Sequence, residues 1–297
     1  MKVYGKLRAV DGINFEVREG ESFGLLGPNG AGKSTTMRMI GGTLIRDGGT
    51  LEVLGLDPDK DGPLIRANLG VVPQQDYLDE ELRVAENLTM YGRYFGLPYS
   101  YLRPKVAELL EFAKLTDRAK ANVEELSGGM KRRLVIARGL INDPRILLLD
   151  EPTTGLDPQA RHIVWDQLYR LKERGVTLIV TTHFMDEAEQ LCERLIVMDN
   201  GQIKAEGRPM ALIREYSTPE VLELRFGVGR NEELLPQLEG IGERHELLAD
   251  RLLLYVRDGD AALSEVARRG ITPLTSLVRR SSLEDVFLRL TGRSLIE

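Results

Sequence analysis

The stretch GLLGPNGAGKST, residues 24–35, combines glycines, a lysine and hydroxyl side chains in an order that suits phosphate binding. Glycines adopt backbone angles closed to other residues and let main-chain N–H groups approach an anion. In the pattern G-x-x-x-x-G-K-S, Lys33 would bridge the β- and γ-phosphates of a nucleotide and Ser34 would bind Mg²⁺. A flexible turn with an ordinary surface lysine is the alternative. The predicted phosphate-binding residues are Gly27, Pro28, Asn29, Gly30, Ala31, Gly32, Lys33, Ser34 and Thr35.

An acidic pair in RILLLDEPTTGLDP supplies the next chemical groups. Asp150 directly follows the apolar run 146–149, at the end of a predicted central strand, where it could reach the shell of a Mg²⁺ ion. Glu151 lies one residue further, where it could orient and deprotonate an attacking water. The alternative is an acidic pair at a solvated strand end.

A histidine ends another apolar run, 176–182 in VTLIVTTH. Ligands of α/β sheets bind at the carboxyl ends of the strands. His183 is therefore predicted on the same rim as the phosphate loop, and a core histidine is the alternative.

VEELSGGMKRRL contains a second glycine-rich helix start. Ser127 is a suitable N-cap, and the free N–H groups of a helix N-terminus attract anions. One interpretation of Lys131, Arg132 and Arg133 is a solvated helix face. That interpretation does not explain a second anion-ready site in a chain whose first site is predicted to hold nucleotide.

Strands and helices alternate around these residues. Residues 22–26 are nearly all apolar, as in a strand buried on both faces of a parallel sheet, and helical spacing follows Lys33. Asp157 and Pro158 predict the N-cap and first position of another helix, which Gly175 ends. Capping explains Asp157 completely, although capping and a functional role can both apply.

Composition narrows the class of protein. The 297 residues suffice for one large or two smaller domains without covalent staples. The net charge of −6 does not favour a nucleic-acid binder. The single cysteine, Cys192, cannot form an internal disulfide and is expected in the core of a protein from a reducing compartment. Because no uncharged apolar stretch approaches 18 residues, we expect a cytoplasmic chain that contacts the membrane through a partner.

Taken together, the motifs resemble the nucleotide-binding subunit of an ATP-binding cassette (ABC) transporter. The phosphate loop, VVPQQD, LSGGM, LLLDEP, TGLD and TTH follow in that family's order and spacing over about residues 4–215, and LSGG is the most specific element. The resemblance implies an α/β P-loop cassette with a mostly parallel central sheet, ATP as nucleotide and Mg²⁺ as cofactor. It also implies a second copy packed head to tail, with each ATP between one phosphate loop and the partner's signature.

The resemblance further implies roles for single residues. Tyr4 matches the aromatic that stacks on adenine, and Gln74 matches the residue that senses Mg²⁺ and the γ-phosphate. Glu151 matches the general base, His183 the switch contact to the γ-phosphate, and Asp157 the contact across the dimer. The catalytic candidates are thus Glu151, His183 and Gln74; the metal candidates are Ser34, Gln74 and Asp150; the signature contacts are Ser127, Gly128 and Gly129.

Within the family, SGGMKRRL and THFMDEAEQLCERL are most similar to the ATPase subunits of daunorubicin-type drug efflux and nodulation-factor export. Met130 stands where many members have glutamine, a variant associated with drug and polysaccharide exporters. The implied partner is a separate six-helix ABC-2 type permease, which would hold the chain at the cytoplasmic face of the membrane. Only three residues precede Tyr4, so either the start lies upstream or the edge of the adenine site is incomplete.

The predicted domains are an ABC ATPase domain at 1–215 and an accessory domain at 217–297. A mostly helical arm is expected at about 64–140, with exposed apolar residues beside Gln74 forming a groove for a helix of the permease. RLIVMDNGQIKAEG predicts a hairpin that turns at Asn200-Gly201.

The C-terminal segment predicts a small α+β, ferredoxin-like fold: strand, helix, two strands, helix, strand, and then a closing helix SLEDVFLRLTG. It contains no catalytic constellation. A packing or regulatory role is expected there, and a ligand sensor is the alternative.

Three functions are compatible with the cassette: an ATPase that drives a membrane exporter, a soluble ATPase acting on ribosomes or DNA, and an interaction module without turnover. Ribosomal relatives carry two cassettes and DNA-repair relatives carry a long coiled-coil insertion, whereas one uninterrupted cassette is present here. An inactive module would be expected to lose Glu151 or His183, and both are present. The exporter ATPase is therefore the favoured function, for a drug-, lipid- or polysaccharide-like substrate.

Overall fold

The computed structural model describes residues 1–227 and 229–292. The chain forms two compact units, Met1–Arg208 and Pro209–Glu297. A helix that begins at Pro209 packs with the last helix of the second unit and is grouped with it. The functional domain boundary between 215 and 217 stays a prediction.

The elements of the first unit alternate between strand and helix after a short N-terminal hairpin. In chain order they are β1 (Lys2–Tyr4), β2 (Leu7–Val10), β3 (Ser22–Leu26), α1 (Lys33–Ile40), α2 (Pro58–Ala67), β4 (Leu69–Val72), α3 (Val84–Tyr94), α4 (Tyr99–Phe112), α5 (Gly128–Gly139), β5 (Ile146–Asp150), α6 (Pro158–Glu173), β6 (Thr177–Thr182), α7 (Met185–Leu191), β7 (Arg194–Asp199) and β8 (Gln202–Gly207).

The central sheet of residues 1–208 has the strand order β4-β5-β6-β3-β7-β8. All neighbouring pairs are parallel except β7 with β8, which are antiparallel. Strands β3 and β6 are buried along their whole length, as expected for a parallel sheet covered on both faces. The predicted cassette fold is confirmed.

Local sequence signals place the helix starts near the predicted site. The Ser127 side chain accepts a hydrogen bond from the Met130 N–H at the start of α5, and Asp157 does the same for Ala160 at the start of α6. The turn between β7 and β8 has positive φ at both Asn200 and Gly201, the geometry of a type I′ hairpin. These predicted caps and the predicted turn are confirmed.

The structure differs from the predicted helical arm near the N-terminal end of the arm. Residues 69–72, which lie inside the segment expected to be mostly helical, form β4 and pair with β5 at the edge of the central sheet. The run LGVV is short and apolar, so its sequence is compatible with either a helix or a strand. It forms a strand because it pairs with the buried strand β5. Helices α3, α4 and α5 follow it as predicted.

The second unit contains α8 (Pro209–Tyr216), β9 (Glu220–Arg225), α9 (Arg230–Leu234), β10 (Arg244–Leu247), β11 (Leu252–Val256), α10 (Gly259–Arg268), β12 (Thr275–Arg280) and α11 (Leu283–Thr291). Over residues 209–227 and 229–292 its sheet is antiparallel with the order β10-β11-β9-β12. This order and the β-α-β-β-α-β sequence are those of a ferredoxin-like fold, as predicted. Helices α8 and α11 are additional to it.

Candidate functional site

Three neighbouring parallel strands, β5, β6 and β3, end at the same edge of the sheet. Glu151 follows β5, His183 follows β6, and Gly27 begins the loop after β3. The topology therefore brings together the carboxylate pair, the histidine and the phosphate loop that the sequence placed on one rim.

The phosphate loop is packed so closely that side chains are excluded at two positions. A Cβ at Gly27 would lie 2.3 Å from the Met198 carbonyl oxygen, and one at Gly32, where φ is 102°, would lie 2.3 Å from that of Ala9. Gly30 also has a positive φ, of 83°, but faces open space. The glycines thus form a backbone cradle that leads directly into the N-terminus of α1, which is the geometry that favours an anion.

Lys33 is fixed inside this cradle. Its Nζ donates hydrogen bonds to the carbonyl oxygens of Gly27, at 2.6 Å, and Pro28, at 3.0 Å, and only 4% of the side chain is exposed. Burial lowers the pKa of this ammonium, although the nearby carboxylates of Glu151 and Asp150 oppose the shift. A buried cation with carbonyl partners suits a polyanion such as a nucleotide phosphate.

Ser34 and Asp150 are in contact next to the phosphate loop. The Ser34 hydroxyl donates to Asp150 Oδ1 at 3.1 Å, and the Thr181 hydroxyl donates to the same carboxylate oxygen. A hydroxyl and a carboxylate in contact provide hard oxygen ligands of the type that Mg²⁺ prefers. No group of three or more histidine, cysteine or acidic residues with metal-binding geometry exists within the described residues.

The Glu151 carboxylate is the centre of the rim. Its Oε2 accepts hydrogen bonds from Gln74 Nε2 and from the Thr154 hydroxyl, each at 3.1 Å. Its Oε1 lies 3.7 Å from Lys33 Nζ and 3.2 Å from His183 Nδ1. The catalytic candidates His183 and Gln74 therefore both lie against the carboxylate of the third, Glu151.

The backbone at Glu151 is strained. Its φ is 47°, in the left-handed region that residues with a side chain rarely adopt, at a cost of about 1–3 kcal/mol. The Glu151 N–H is held by the carbonyl and the hydroxyl of Thr181, each at 3.1 Å. This turn directs the carboxylate back across the rim.

His183 approaches Glu151 without forming a hydrogen bond to it. Its Nδ1 is close enough in distance but is not aligned, and it is a buried ring nitrogen without a hydrogen-bond partner. A buried, unsatisfied polar atom in a native site requires an explanation, and a ligand that approaches the rim is one.

The signature residues and Asp157 form a second cluster. Ser127 and Gly128 stand at the start of α5, and a Cβ at Gly128 would meet nothing within 4 Å, so this helix start is open. Gly129 packs on α6, because a Cβ there would lie 2.8 Å from Ala160 Cβ. Asp157 is therefore near the signature rather than among the side chains around Glu151.

Tyr4 lies in the N-terminal hairpin formed by β1 and β2. Its side chain is 44% exposed, and the ring is 5.6 Å from Lys2 Nζ. Strand β2 contacts the phosphate loop through the Ala9 carbonyl at Gly32, so the hairpin borders the cradle.

The sequence interpretation missed Arg132. Instead of belonging to a solvated face, its side chain is 3% exposed and its guanidinium contacts main-chain carbonyls beside Glu151 and Gln74. A usable signal exists, since Arg132 precedes the buried Val135 and Ile136 by three and four residues and so shares their helix face.

Glu187 was missed as well. It is fully buried and accepts hydrogen bonds from the Thr153 hydroxyl, at 2.7 Å, and from Trp165 Nε1, at 3.3 Å. Burial raises the pKa of this carboxyl. Its contacts join α6 and α7 to the loop that follows Glu151.

A cavity of about 590 Å³ lies elsewhere in the first unit, between the 13–19 segment, the second half of α1 and the beginnings of β5 and β6. None of the predicted site residues lines it. The candidate site is thus an open rim rather than this cavity.

Comparisons with known proteins agree with this geometry. The ABC transporter family profile matches residues 10–154, and the profile "Nodulation factor export protein NodI, C-terminal domain" matches residues 231–292. The ATP-binding cassette MJ0796, solved bound to ADP and Pi, is 30% identical with a TM-score of 0.63, over 70% of this chain and 94% of that one. CbiO1 from Clostridium perfringens is 30% identical with a TM-score of 0.65, over 70% and 84%.

The chain belongs to the ATP-binding cassette family of transporter ATPases, and it binds ATP and hydrolyses it. It is 50% identical over 294 residues to the "Nod factor export ATP-binding protein I" of Rhizobium sp. (strain N33), covering 99% of this chain and 95% of that protein. The protein of the same name from Ralstonia nicotianae is 48% identical over 298 residues, covering 99% and 92%.

Proposed function

We propose that this chain is the Mg²⁺-dependent ATPase subunit of an ABC-2 type exporter, acting as a pair of copies at the cytoplasmic face of the membrane. The observation that carries the proposal is the convergence of Gln74, His183 and Lys33 on the Glu151 carboxylate. The full-length similarity to Nod factor export ATP-binding proteins supports export as the direction of transport.

ATP binding is assigned to the cradle from Gly27 to Thr35. The main-chain N–H groups of the glycines and the start of α1 would hold the phosphates, with the Lys33 ammonium against the β- and γ-phosphates. The residues fit the ligand, because the packing at Gly27 and Gly32 leaves backbone instead of side chains facing it. Tyr4, beside the cradle, would stack on the adenine.

Mg²⁺ is assigned to Ser34, Asp150 and Gln74, whose oxygen atoms are suitable ligands for a hard cation. When bound, the ion neutralises charge on the phosphate oxygens. Asp150 is oriented for this role by the Thr181 hydroxyl.

Hydrolysis follows from the positions of Glu151 and its neighbours. Glu151 accepts a proton from the attacking water, the water oxygen bonds to the γ-phosphorus, and the bond from that phosphorus to the β-γ bridging oxygen breaks, giving ADP and phosphate. Gln74 holds the carboxylate through its 3.1 Å hydrogen bond, and His183, on the same rim, would contact the γ-phosphate. The strained Glu151 backbone keeps the base directed at the rim.

A second copy of the chain would complete each site. Ser127, Gly128 and Gly129 form an open helix start with free N–H groups, which suits the γ-phosphate bound by a partner copy. Asp157 lies beside this cluster and would make the contact across the dimer.

The binding site for the permease is assigned to the helical arm. Three tyrosines of the arm are largely exposed, namely Tyr77 (71%), Tyr94 (79%) and Tyr99 (63%). Amphipathic aromatic side chains are enriched at protein interfaces. No helix among the described residues is long and apolar enough to cross a membrane. The exposed tyrosines of the arm are the proposed contacts with the permease, and Tyr77 follows Gln74 by three residues in the chain.

The second unit is assigned a packing or regulatory role. Its core is closed by its own residues, and the match of residues 231–292 to the C-terminal domain of a nodulation factor export protein supports an accessory role. A soluble ATPase acting on ribosomes or DNA is less favoured, because the chain is acidic overall and is similar over its whole length to export proteins.

The coupling test uses Gln74→Ala with the co-purified permease. We expect ATP affinity of the isolated subunit to stay within about threefold of native, because the cradle holds the phosphates and Ser34 and Asp150 remain for Mg²⁺. Stimulation by the permease should be lost. Gln190→Ala, an exposed glutamine on α7, is the matched control and should leave both unchanged. Loss of ATP binding by isolated Gln74→Ala would contradict the coupling assignment.

A further inference from the structure

One arginine connects the signature helix to both loops of the catalytic rim. Arg132 extends from α5, and its guanidinium donates to main-chain carbonyl oxygens at 2.5–3.4 Å. The acceptors are Pro73, Gln74, Asp150, Glu151 and Pro152. All three guanidinium nitrogens are used.

These five carbonyls belong to only two segments. One segment carries Gln74 and the other carries Glu151, and their side chains meet at 3.1 Å. Arg132 therefore binds the main chain of both residues, and their side chains bind each other. The planar fork of a guanidinium can serve several carbonyls at fixed angles, which a lysine ammonium cannot do.

The geometry points to Arg132 as a positioning residue for hydrolysis: it fixes the distance between the Gln74 and Glu151 backbones and keeps Glu151 in its strained turn. This inference rests on the proposed role of Glu151 as the base. Because Arg132 stands five residues after Ser127 on the signature helix, it also gives that helix a direct connection to the base.

A neighbouring arginine distinguishes positioning from general packing of α5. Arg133 donates to the carbonyl of Ala113 on the helical arm, at 2.6 Å, and to that of the signature residue Gly129 one turn earlier in its own helix, at 3.3 Å. Neither acceptor lies on the two segments that carry Gln74 and Glu151. Arg133 is therefore a matched control on the same helix, with the same side chain and main-chain acceptors.

The first test measures kcat and KM for ATP separately in Arg132→Lys, with the full chain. We expect kcat for ATP to fall at least tenfold with KM within threefold, because the cradle is intact and only the base is displaced. Arg133→Lys should keep both within about twofold. Arg132→Gln, which retains two N–H donors, should show the same pattern with a larger fall. Native kcat in Arg132→Lys, or joint loss of ATP affinity and turnover in both Arg132 variants, would overturn the proposal.

The second test repeats Arg132→Lys in a chain that carries Glu151→Gln, with single-turnover hydrolysis of radiolabelled ATP. If Arg132 acts by placing Glu151, its substitution lowers the residual rate less than threefold in this background. A tenfold fall that persists without the base would contradict the inference. The proposed function fails separately, through unchanged turnover in Glu151→Gln alone.

Discussion

Buried charged groups occur in both units of the chain, but their partners differ. In the second unit Asp285, 1% exposed, accepts hydrogen bonds from both terminal nitrogens of Arg279, at 2.7 and 2.9 Å, from the Tyr255 hydroxyl and from the Ser282 N–H. Every contact is internal to the unit. Such a network stabilises a fold but offers no group to a ligand.

On the catalytic rim of the first unit the polar groups are paired less completely. Lys33 stays 3.7 Å from Glu151, His183 Nδ1 has no hydrogen-bond partner, and Glu151 occupies a left-handed backbone position. Strain and unsatisfied polar groups concentrate where a protein binds or reacts. Buried charge alone therefore does not mark a site. The rim differs because an unpaired histidine nitrogen and a strained carboxylate occur together at the carboxyl ends of neighbouring parallel strands.

The largest effect is expected from removing the buried ion pair between Asp285 and Arg279 in the second unit. Asp285→Asn removes the bidentate partner of Arg279, which keeps its 2.6 Å hydrogen bond to Glu223. It should lower the free energy of unfolding of that unit by about 3 kcal/mol, the lower end of the range for a broken buried pair. Glu284→Gln, the exposed neighbour on α11, should change it by less than about 0.5 kcal/mol. Urea unfolding of both variants measures the difference, and equal stabilities would show that the network is not the source of stability.

Removing Lys33 from the rim should change a smaller free energy, and the change should appear in ATP affinity instead of stability. Lys33→Ala takes away charge-assisted hydrogen bonds worth about 1.5–3 kcal/mol, a roughly 10- to 100-fold loss of ATP affinity, with little change in unfolding. Lys204→Ala, an exposed lysine on β8, is the control. Equilibrium binding of a fluorescent ATP analogue tests it, and native affinity of Lys33→Ala would remove Lys33 from the phosphate site.

Low pH should also remove the stability that the pair of Asp285 and Arg279 gives the second unit. Burial would raise the pKa of Asp285, but the hydrogen bonds and charge of Arg279 outweigh it, so the pKa is lowered. The stability from this pair is therefore complete above the unfolded pKa of about 4 and is lost as pH falls through the lower folded value. Unfolding measured from pH 6 down to 2 should show this loss in the native chain and not in Asp285→Asn.

The smallest expected effect comes from deleting the second unit. A chain that ends at Arg208 should bind ATP within about twofold of native, since every assigned ATP contact precedes that residue. A chain that ends at Tyr216 keeps α8 but loses α11, which packs against it, and should be less soluble because Leu212 and Ile213 lose their cover. Lost ATP binding in a folded chain ending at Arg208 would mean that the second unit shapes the site.

Sequence patterns predicted most of the rim because each group directly follows a buried strand. The β3 and β5 strands and the caps at Ser127 and Asp157 lie where local signals placed them. Charge patterning misses Arg132, although its place on the helix face of Val135 and Ile136 indicates burial. Its carbonyl partners come from two distant loops, which no local signal identifies. The strand at 69–72 depended on its pairing with β5, which no local signal reports.

Substitution of the base tests the central claim, that the rim is a hydrolytic ATP site organised around Glu151. In Glu151→Gln the hydrogen bond acceptor remains but the proton acceptor is lost, so ATP turnover should fall by about a hundredfold or more. ATP affinity should stay native, and an ATP-bound dimer should accumulate on size exclusion. Glu173→Gln, at an exposed position at the end of α6, should behave as the native chain. Native turnover in Glu151→Gln would show that Glu151 is not the base.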